Sequence, residues 1–382
     1  MTSGSHFKWA SYQQFASKRS VVIPRAVVSP PSRAPCSFSV VSKSTNSSCW
    51  NMHSWSACVI GGGVVGLTTA LLAQERGAEV TLVADKFKTE TTSDGAAAIF
   101  RPSNSFNVIT PENTKEVIAV SYRYYEKLLK EDAGVKLISG CNLSNESLAS
   151  TRNSLLEGLV PEYRDATEME LKQYQGDWKF GTYYTTFLVE NRFYLPWAEK
   201  KLIAQGGTII RSTINDFSDV KNFGDFDLVF NCSGYGAKKL CNDLAVEPIS
   251  GQLYRVDAPW CDKFVYANGM DTYVIPGYLA TVGGSRHSES YRTKPCPHDG
   301  AAIWSRATAL MPQLQTSQIR EQWVGVRPYR SGGARVQAEV INGIKVVHNY
   351  GHGGHGVTSA PGCAAQAVQI AEDFLSLTKS EL

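Results

Sequence analysis

The sequence predicts an α/β chain in which a Rossmann-type nucleotide-binding domain is interleaved with a second domain built mainly on an antiparallel sheet. Three observations carry that prediction. A strand, a glycine loop and a helix follow one another at three places, near residues 57–73, 226–240 and 345–377. These units lie far apart in the chain, so one nucleotide domain must be assembled from distant segments. Between them, 251–259, 273–283 and the run to Trp323 read as strands with polar turns, the pattern of an antiparallel sheet. The predicted boundaries are 57–105, 189–246 and 325–378 for the nucleotide domain, and 106–188 and 247–324 for the second domain.

Composition sets the outer bounds. At 382 residues the chain can bury two substantial cores, and 19% charged with 43% hydrophobic residues is an ordinary globular balance. A net charge of +3 is too mild to argue for a nucleic-acid partner. No apolar run approaches the roughly 18 residues of a membrane span. The nine cysteines are odd in number and contain no Cys-x-x-Cys pair, which predicts reduced thiols in a reducing compartment. Residues 1–55 differ in kind. No Asp or Glu occurs before Glu75, while Lys8, Lys18, Arg19, Arg25, Arg33 and Lys43 are all basic. Such an extension reads either as a transit peptide, for mitochondrion or plastid, or as a disordered tail without an address. The chain ends Ser380-Glu381-Leu382, which resembles the peroxisomal address Ser-Lys-Leu but has an acid in the middle.

The folded part begins with the apolar strand Ala57-Cys58-Val59-Ile60. Gly61-Gly62-Gly63-Val64-Val65-Gly66 then forms a G-x-G-x-x-G that runs into a helix over 67–73, and a second strand, 79–84, ends at Asp85. Strand, glycines, helix, strand and acid in register are a dinucleotide signature. Gly61 permits the turn, Gly63 admits a pyrophosphate and Gly66 lets helix pack on strand. Asp85, 19 residues past Gly66, is placed to bind a ribose hydroxyl. The hydroxyls of Thr91, Thr92 and Ser93, ahead of small residues, suit a second loop against phosphate.

From 102 to about 188 the pattern is helical and then mixed, with 122–129 as an amphipathic core helix. A helix starting at 194 runs to 203, Gly206-Gly207 closes it, and the strand 208–210 follows. The second glycine unit is the strand 226–232 with Ser233-Gly234-Tyr235-Gly236. The third, His348-Asn349-Tyr350-Gly351-His352-Gly353-Gly354-His355-Gly356-Val357-Thr358, is the richest in glycine. A Val-rich run leads into it, and an Ala-rich helical pattern over 361–377 leads out. Its backbone N–H groups and the dipole of the following helix favour a partner carrying negative charge. A flavin ring, whose N1/O2 edge becomes negative on reduction, is one such partner. The spacing of His348, His352 and His355 is superficially ligand-like. The glycines give no rigid helix to aim the rings and no Cys, Asp or Glu completes a shell, so no metal is predicted.

Together these motifs resemble the flavin-dependent D-amino-acid oxidase family, nearest to its D-aspartate-oxidising members. The resemblance runs from Ala57 to the C-terminus. It is carried by the first glycine motif, Ala84-Asp85-Lys86-Phe87 with Thr91-Thr92-Ser93-Asp94, and Asn231-Cys232-Ser233-Gly234. Further on come Val256-Asp257-Ala258-Pro259-Trp260, Tyr273-Val274-Ile275-Pro276-Gly277, Gly325-Val326-Arg327-Pro328-Tyr329-Arg330 and the histidine–glycine stretch. It implies non-covalent FAD, oxidation of a D-amino acid to an imine that hydrolyses to a 2-oxo acid and ammonia, and return of the electrons to O2 as hydrogen peroxide. By the match, FAD is held by Gly61, Gly63, Val64, Val65, Gly66, Asp85, Lys86, Thr91, Thr92, Ser93, Ile214, Ser233, Gly353, Gly354, Gly356, Val357 and Thr358. Arg327 and Tyr273 hold the substrate α-carboxylate, and the Gly354 carbonyl accepts from the amine. No side chain is needed as general acid or base. The three histidines then serve as packing and hydrogen-bonding supports.

Two features resemble the oxidases of acidic substrates. Arg286, in Val282-Gly283-Gly284-Ser285-Arg286, matches the arginine that pairs with a distal carboxylate, and a buried arginine there would reject apolar side chains. The connection from Trp260 to Tyr273 is only twelve residues, shorter than the lid of neutral-substrate oxidases. Departures are Tyr266 in place of a lid arginine, Ser103 in place of a histidine and Ala98 in place of a glycine. Arg101, just upstream of Ser103, is a candidate replacement charge facing the pocket. The other readings are a broad oxidase of neutral or basic D-amino acids, a sarcosine- or glycine-type amine oxidase, and a non-catalytic nucleotide-binding protein. The partners implied are a small D-amino acid, O2 and a peroxisomal import receptor at the C-terminus, with no nucleic acid and no membrane span. A peroxide producer belongs with catalase, which favours the peroxisome over mitochondrion, plastid or cytosol.

Overall fold

The computed structural model describes residues 55–108 and 110–380. The targeting expectations for 1–54 and for the final Glu381-Leu382 lie outside the described residues. β1 (Trp55–Gly62) is buried from Ala57 to Ile60, and α1 (Val64–Glu75) follows at once. β2 (Ala78–Phe87) returns parallel to β1, with Val59 opposite Leu82. The turn into α1 needs its glycines. Gly61 has φ +121°, and a Cβ on Gly66 would stand 1.9 Å from the Gly61 carbonyl oxygen, so helix and strand approach closer than any side chain allows.

α2 (Pro111–Leu128) is N-capped by Thr110, whose hydroxyl accepts from the Asn113 N–H. β3 (Val135–Ser144), β4 (Tyr163–Asp165), the single turn α3 (Glu168–Leu171) and β5 (Phe180–Val189) follow. α4 (Asn191–Ala204) begins three residues earlier than the sequence pattern puts it, with Pro196 inside. β6 (Thr208–Arg211), β7 (Leu228–Asn231) and the one-turn α5 (Ala237–Leu240) complete the middle of the chain. Then come β8 (Val246–Asp257), β9 (Lys263–Ala267), β10 (Thr272–Ile275), β11 (Ala280–Gly283) and β12 (His287–Ser288). The last elements are α6 (Pro297–Leu310), β13 (Gln318–Arg330), β14 (Arg335–Ile341), β15 (Ile344–Tyr350) and α7 (Gly356–Ser380).

Two sheets result. The first has the order β14-β15-β7-β1-β2-β6, parallel except for the β14–β15 hairpin. The second runs β12-β8-β11-β10-β9-β3-β5-β4, with β13 also paired to β8; β3–β9 is parallel and its other pairs are antiparallel. One large apolar cluster joins α1, α2 and α7 to both sheets, through Val59, Leu67, Tyr125, Phe187 and Phe264.

Four expectations are corrected. The run toward Trp323 contains α6, because Pro297 suits a first helical turn and buried Gly300, Ile303, Ala307 and Leu310 recur at helical spacing. Residue 325 is no boundary: β13 pairs with β8 continuously from Gln318 to Arg330, apart from one bulge, and carries Arg327 opposite Ile249 in the second sheet. Helix α2, placed by the expected boundaries in the second domain, packs directly on α7, where a Cβ on Gly362 would stand 2.0 Å from the Val117 carbonyl oxygen. Finally, α7 starts at Gly356, five residues before Pro361, so Gly356, Val357 and Thr358 form its first turn. Pro361 cannot donate to the Val357 carbonyl, and the Tyr125 hydroxyl does so instead at 2.6 Å.

Candidate active site

The nucleotide end is built where three loops meet α1. Gly63 gives α1 no side-chain cap, and the Val64 N–H donates instead to Ser93 Oγ at 3.0 Å. The loop holding Ser93 is tied down from several sides. Asn191 Nδ2 donates to the Ser93 carbonyl at 2.6 Å, and Thr92 Oγ1 donates to the Val326 carbonyl at 3.4 Å. Arg255, on β8, donates to the Asp94 and Ala96 carbonyls at 3.2 and 2.9 Å and also to Thr281 Oγ1. Thr91 closes its own turn on the Lys88 carbonyl, 2.7 Å away. Asp85 and Lys86 are exposed at the end of β2, and Arg211 donates to the Asp85 carbonyl. Ser233 Oγ donates to Asn231 Oδ1 at 2.6 Å beside the α1 turn. Ile214 follows β6 and packs its side chain on the Val83–Phe217 cluster.

These groups fit a dinucleotide. The first turns of α1 and α7 contain no acidic residue, so both positive helix ends are open to an anion. The exposed Asp85 carboxylate suits a ribose hydroxyl, and Gly61, Gly63 and Gly66 keep the approach free of side chains.

The second group of predicted site residues lies where β13, β10 and the 351–356 loop converge. A Cβ on Gly251 would fall 2.0 Å from Arg327 Nη1, and one on Gly354 would stand 3.5 Å from Arg327 Cδ. The guanidinium therefore lies in a slot between two glycine backbones. Its Nη1 is buried without a hydrogen-bond partner. Tyr273 lies over the Gly283-Gly284 backbone, where a Cβ on Gly283 would come 2.3 Å from its hydroxyl. Burial pushes the Tyr273 phenol up, against the opposing fields of Arg327 and Arg255, so it stays a donor. Tyr266 is its cross-strand partner, with ring centroids 5.3 Å apart, and the Arg101 guanidinium sits 4.2 Å from the Tyr266 centroid.

His355 stands within the fields of Arg101, Arg286 and Arg327; burial first, then these charges, lowers its pKa to about 4. The ring is neutral at pH 7. His352 is likewise lowered to about 4 by burial and then by His355, with Nε2 unpartnered. His348 Nδ1 accepts from Asn231 Nδ2 at 3.2 Å, so Nε2 carries the proton and donates to Glu339 at 3.0 Å. Gly353 and Gly354 form the turn between His352 and α7.

Arg101, Tyr273, Arg286, Arg327 and Gly354 are thus brought to one end of the site. The expected burial of Arg286 is not found: it is exposed. Ser285 exchanges hydrogen bonds with the Gln252 backbone at 3.1 and 3.0 Å, which fixes the chain just ahead of Arg286 between β11 and β12. Gly251 and Arg255 were missed by the sequence reading. The available signal was Gly251-Gln252-Leu253-Tyr254-Arg255 directly ahead of the Val256–Trp260 motif.

Fold and site define a dinucleotide-binding protein in which Arg327, with a buried unpaired Nη1, lies beside the buried Tyr273. The chain belongs to the FAD dependent oxidoreductase family, which matches residues 56–370, and FAD is its cofactor. It is 34% identical to D-aspartate oxidase of Homo sapiens over 337 residues, 85% of this chain and 96% of that protein. It is 33% identical to a D-amino-acid oxidase of Streptomyces coelicolor, covering 82% of this chain and 95% of the other. In fold it is similar to the glycine oxidase of Geobacillus kaustophilus, with a TM-score of 0.71 at 18% identity, covering 84% of this chain and 95% of that one.

Proposed function

We propose that this enzyme oxidises D-amino acids, acidic ones in preference, to the 2-oxo acid and ammonia, with O2 reduced to hydrogen peroxide. The observation that carries the reading is the buried, unpartnered Nη1 of Arg327 beside Tyr273, with further guanidinium groups close by. A half-buried cation with a buried N–H left unpaired, and no carboxylate against it among the described residues, calls for an anion, and a dicarboxylate brings two. The relatives named D-aspartate oxidase and D-amino-acid oxidase support the same substrate class.

Arg327 pairs with the α-carboxylate through parallel hydrogen bonds, as a planar guanidinium does. The Tyr273 hydroxyl donates to the same carboxylate, and the Gly354 carbonyl accepts from the amine. When bound, FAD would supply the two-electron acceptor, with O2 as the final oxidant. The chain's part is to orient the Cα–H and to exclude water. No side chain is assigned as general base, because the amine can bind neutral.

The test is a purified, yellow protein mixed with D-aspartate under nitrogen, which should bleach, and in air should release peroxide faster than with D-alanine. Bleaching by D-alanine alone would leave the broad oxidase reading. A flavin-loaded protein that neither amino acid bleaches would leave the non-catalytic one. For location we propose the peroxisome, through Ser380-Glu381-Leu382 and its import receptor. Removing those three residues from a full-length fluorescent fusion should disperse a peroxisomal signal, and an unchanged mitochondrial or plastid signal would assign the address to the N-terminus.

A further inference from the structure

The resemblance gives the distal carboxylate to Arg286, yet Arg286 is exposed. An exposed cation is screened by water and discriminates weakly between a charged and a neutral side chain. Arg101 is placed differently. It is half-buried and follows Ile99, which bridges to Leu188 at the end of β5. Its guanidinium stacks 4.2 Å from the Tyr266 ring centroid, and Tyr266 in turn packs on Tyr273, 5.3 Å between rings. Tyr163 and Tyr184 feel its charge from the side of the second sheet, and the neutral His355 faces it from the 351–356 loop. Among the described residues no carboxylate pairs with it, whereas the nearby Arg152 has both Glu157 and Asp165. Arg101 is thus a guanidinium held by aromatic rings, paired with no carboxylate among the described residues and one ring removed from Tyr273, the residue proposed to hold the α-carboxylate.

We propose that Arg101, not Arg286, is the specificity-determining residue that receives the side-chain carboxylate of an acidic D-amino acid. The assignment rests on the proposed D-amino-acid oxidase activity and refines it. The physical reason is the contrast in surroundings. A cation in a partly dry aromatic enclosure gains more from an incoming anion than one in water, and leaves more unpaired when the incoming side chain is neutral. Tyr266 then has a definite role: it replaces a charged lid residue with a ring that holds Arg101 in position.

The experiment compares R101M, R101K and R286M in the FAD-loaded full chain, by kcat/KM for D-aspartate and D-alanine. R101M keeps an unbranched, apolar stem against Tyr266, and R101K keeps the charge. R101M should lower the D-aspartate to D-alanine ratio by at least about tenfold, mainly through KM for D-aspartate, and R101K should recover part of it. R286M should lower the ratio by less than about threefold. A readout independent of turnover is the change in flavin absorbance on titration with the dicarboxylate malonate or the monocarboxylate acetate. Malonate should weaken in R101M and acetate should not. A larger loss of selectivity in R286M than in R101M would overturn the assignment. So would an equal loss for both substrates in R101M, which would mark a purely structural role. A wild-type enzyme without preference for D-aspartate overturns the underlying reading and this assignment with it.

Discussion

The Tyr125 hydroxyl donates a 2.6 Å hydrogen bond to the Val357 carbonyl, the acceptor that Pro361 leaves without its helical partner. Both residues are buried, and the bond links α2 to the turn of α7 that follows the glycine loop. Y125F should therefore destabilise the protein by about 1–3 kcal/mol, the cost of an unsatisfied buried carbonyl. Thermal unfolding measures it. Because P361A restores the missing N–H, the cost of Y125F should shrink in that background, and equal costs in both backgrounds would refute the account.

Gly251 exists for Arg327. A Cβ there would stand 2.0 Å from Nη1 and 2.6 Å from Cζ, so G251A must push the guanidinium out of its slot. Loss of one charge-assisted pairing costs about 1.5–3 kcal/mol, roughly a tenfold to hundredfold rise in KM for the amino acid. Flavin binding should be nearly unchanged, because Gly251 lies outside the three nucleotide loops. Steady-state kinetics beside a flavin titration separate the two effects.

Ser93 caps α1 from 29 residues away. S93A leaves the Val64 N–H without that acceptor and uncouples the loop from α1, while Asn191 and Arg255 still hold its backbone carbonyls. The expected result is a stability loss of about 1 kcal/mol, with several-fold weaker FAD binding by the apoprotein. Fluorescence titration of free flavin by apoprotein gives the affinity.

Acid should unfold the protein earlier than its carboxylates alone require. Burial holds His348 and His352 near pKa 4 in the folded chain, while an unfolded histidine titrates near 6.5. Above about pH 6.5 neither state is protonated and the rings contribute nothing to the pH dependence. Between about 6.5 and 4 the unfolded chain takes up protons that the folded chain refuses, so stability falls as pH falls. The loss is on the order of 3 kcal/mol for each ring, and urea unfolding at several pH values measures it. Glu339, held low by its hydrogen bond from His348, adds a loss in the same direction as pH falls through its folded-state value.

Most of the nucleotide half was legible in the chain alone. Gly61, Gly63 and Gly66 act through backbone geometry within one short stretch, and their spacing states that geometry directly. The roles proposed for Arg327 and Tyr273 came only through resemblance, because nothing local marks a strand arginine as a carboxylate ligand. Gly251 and Arg255 were not legible at all. Their roles depend on which strand lies beside β8 and which loop lies beneath it, and those neighbours are 76 residues downstream and 159 upstream.

The amino-acid sequence alone was enough for the class of the protein: the βαβ glycine turn and the two-sheet plan follow from short-range rules of periodicity, turn chemistry and spacing, while the amino-acid site came only through resemblance. The start of α7 depends on long-range packing, because Tyr125 offsets the proline that the sequence reads as a helix start. Only the tertiary structure decided that Arg286 faces water while Arg101 lies against Tyr266. Burial is set by contacts between distant segments, and burial determines how strongly a guanidinium selects its anion.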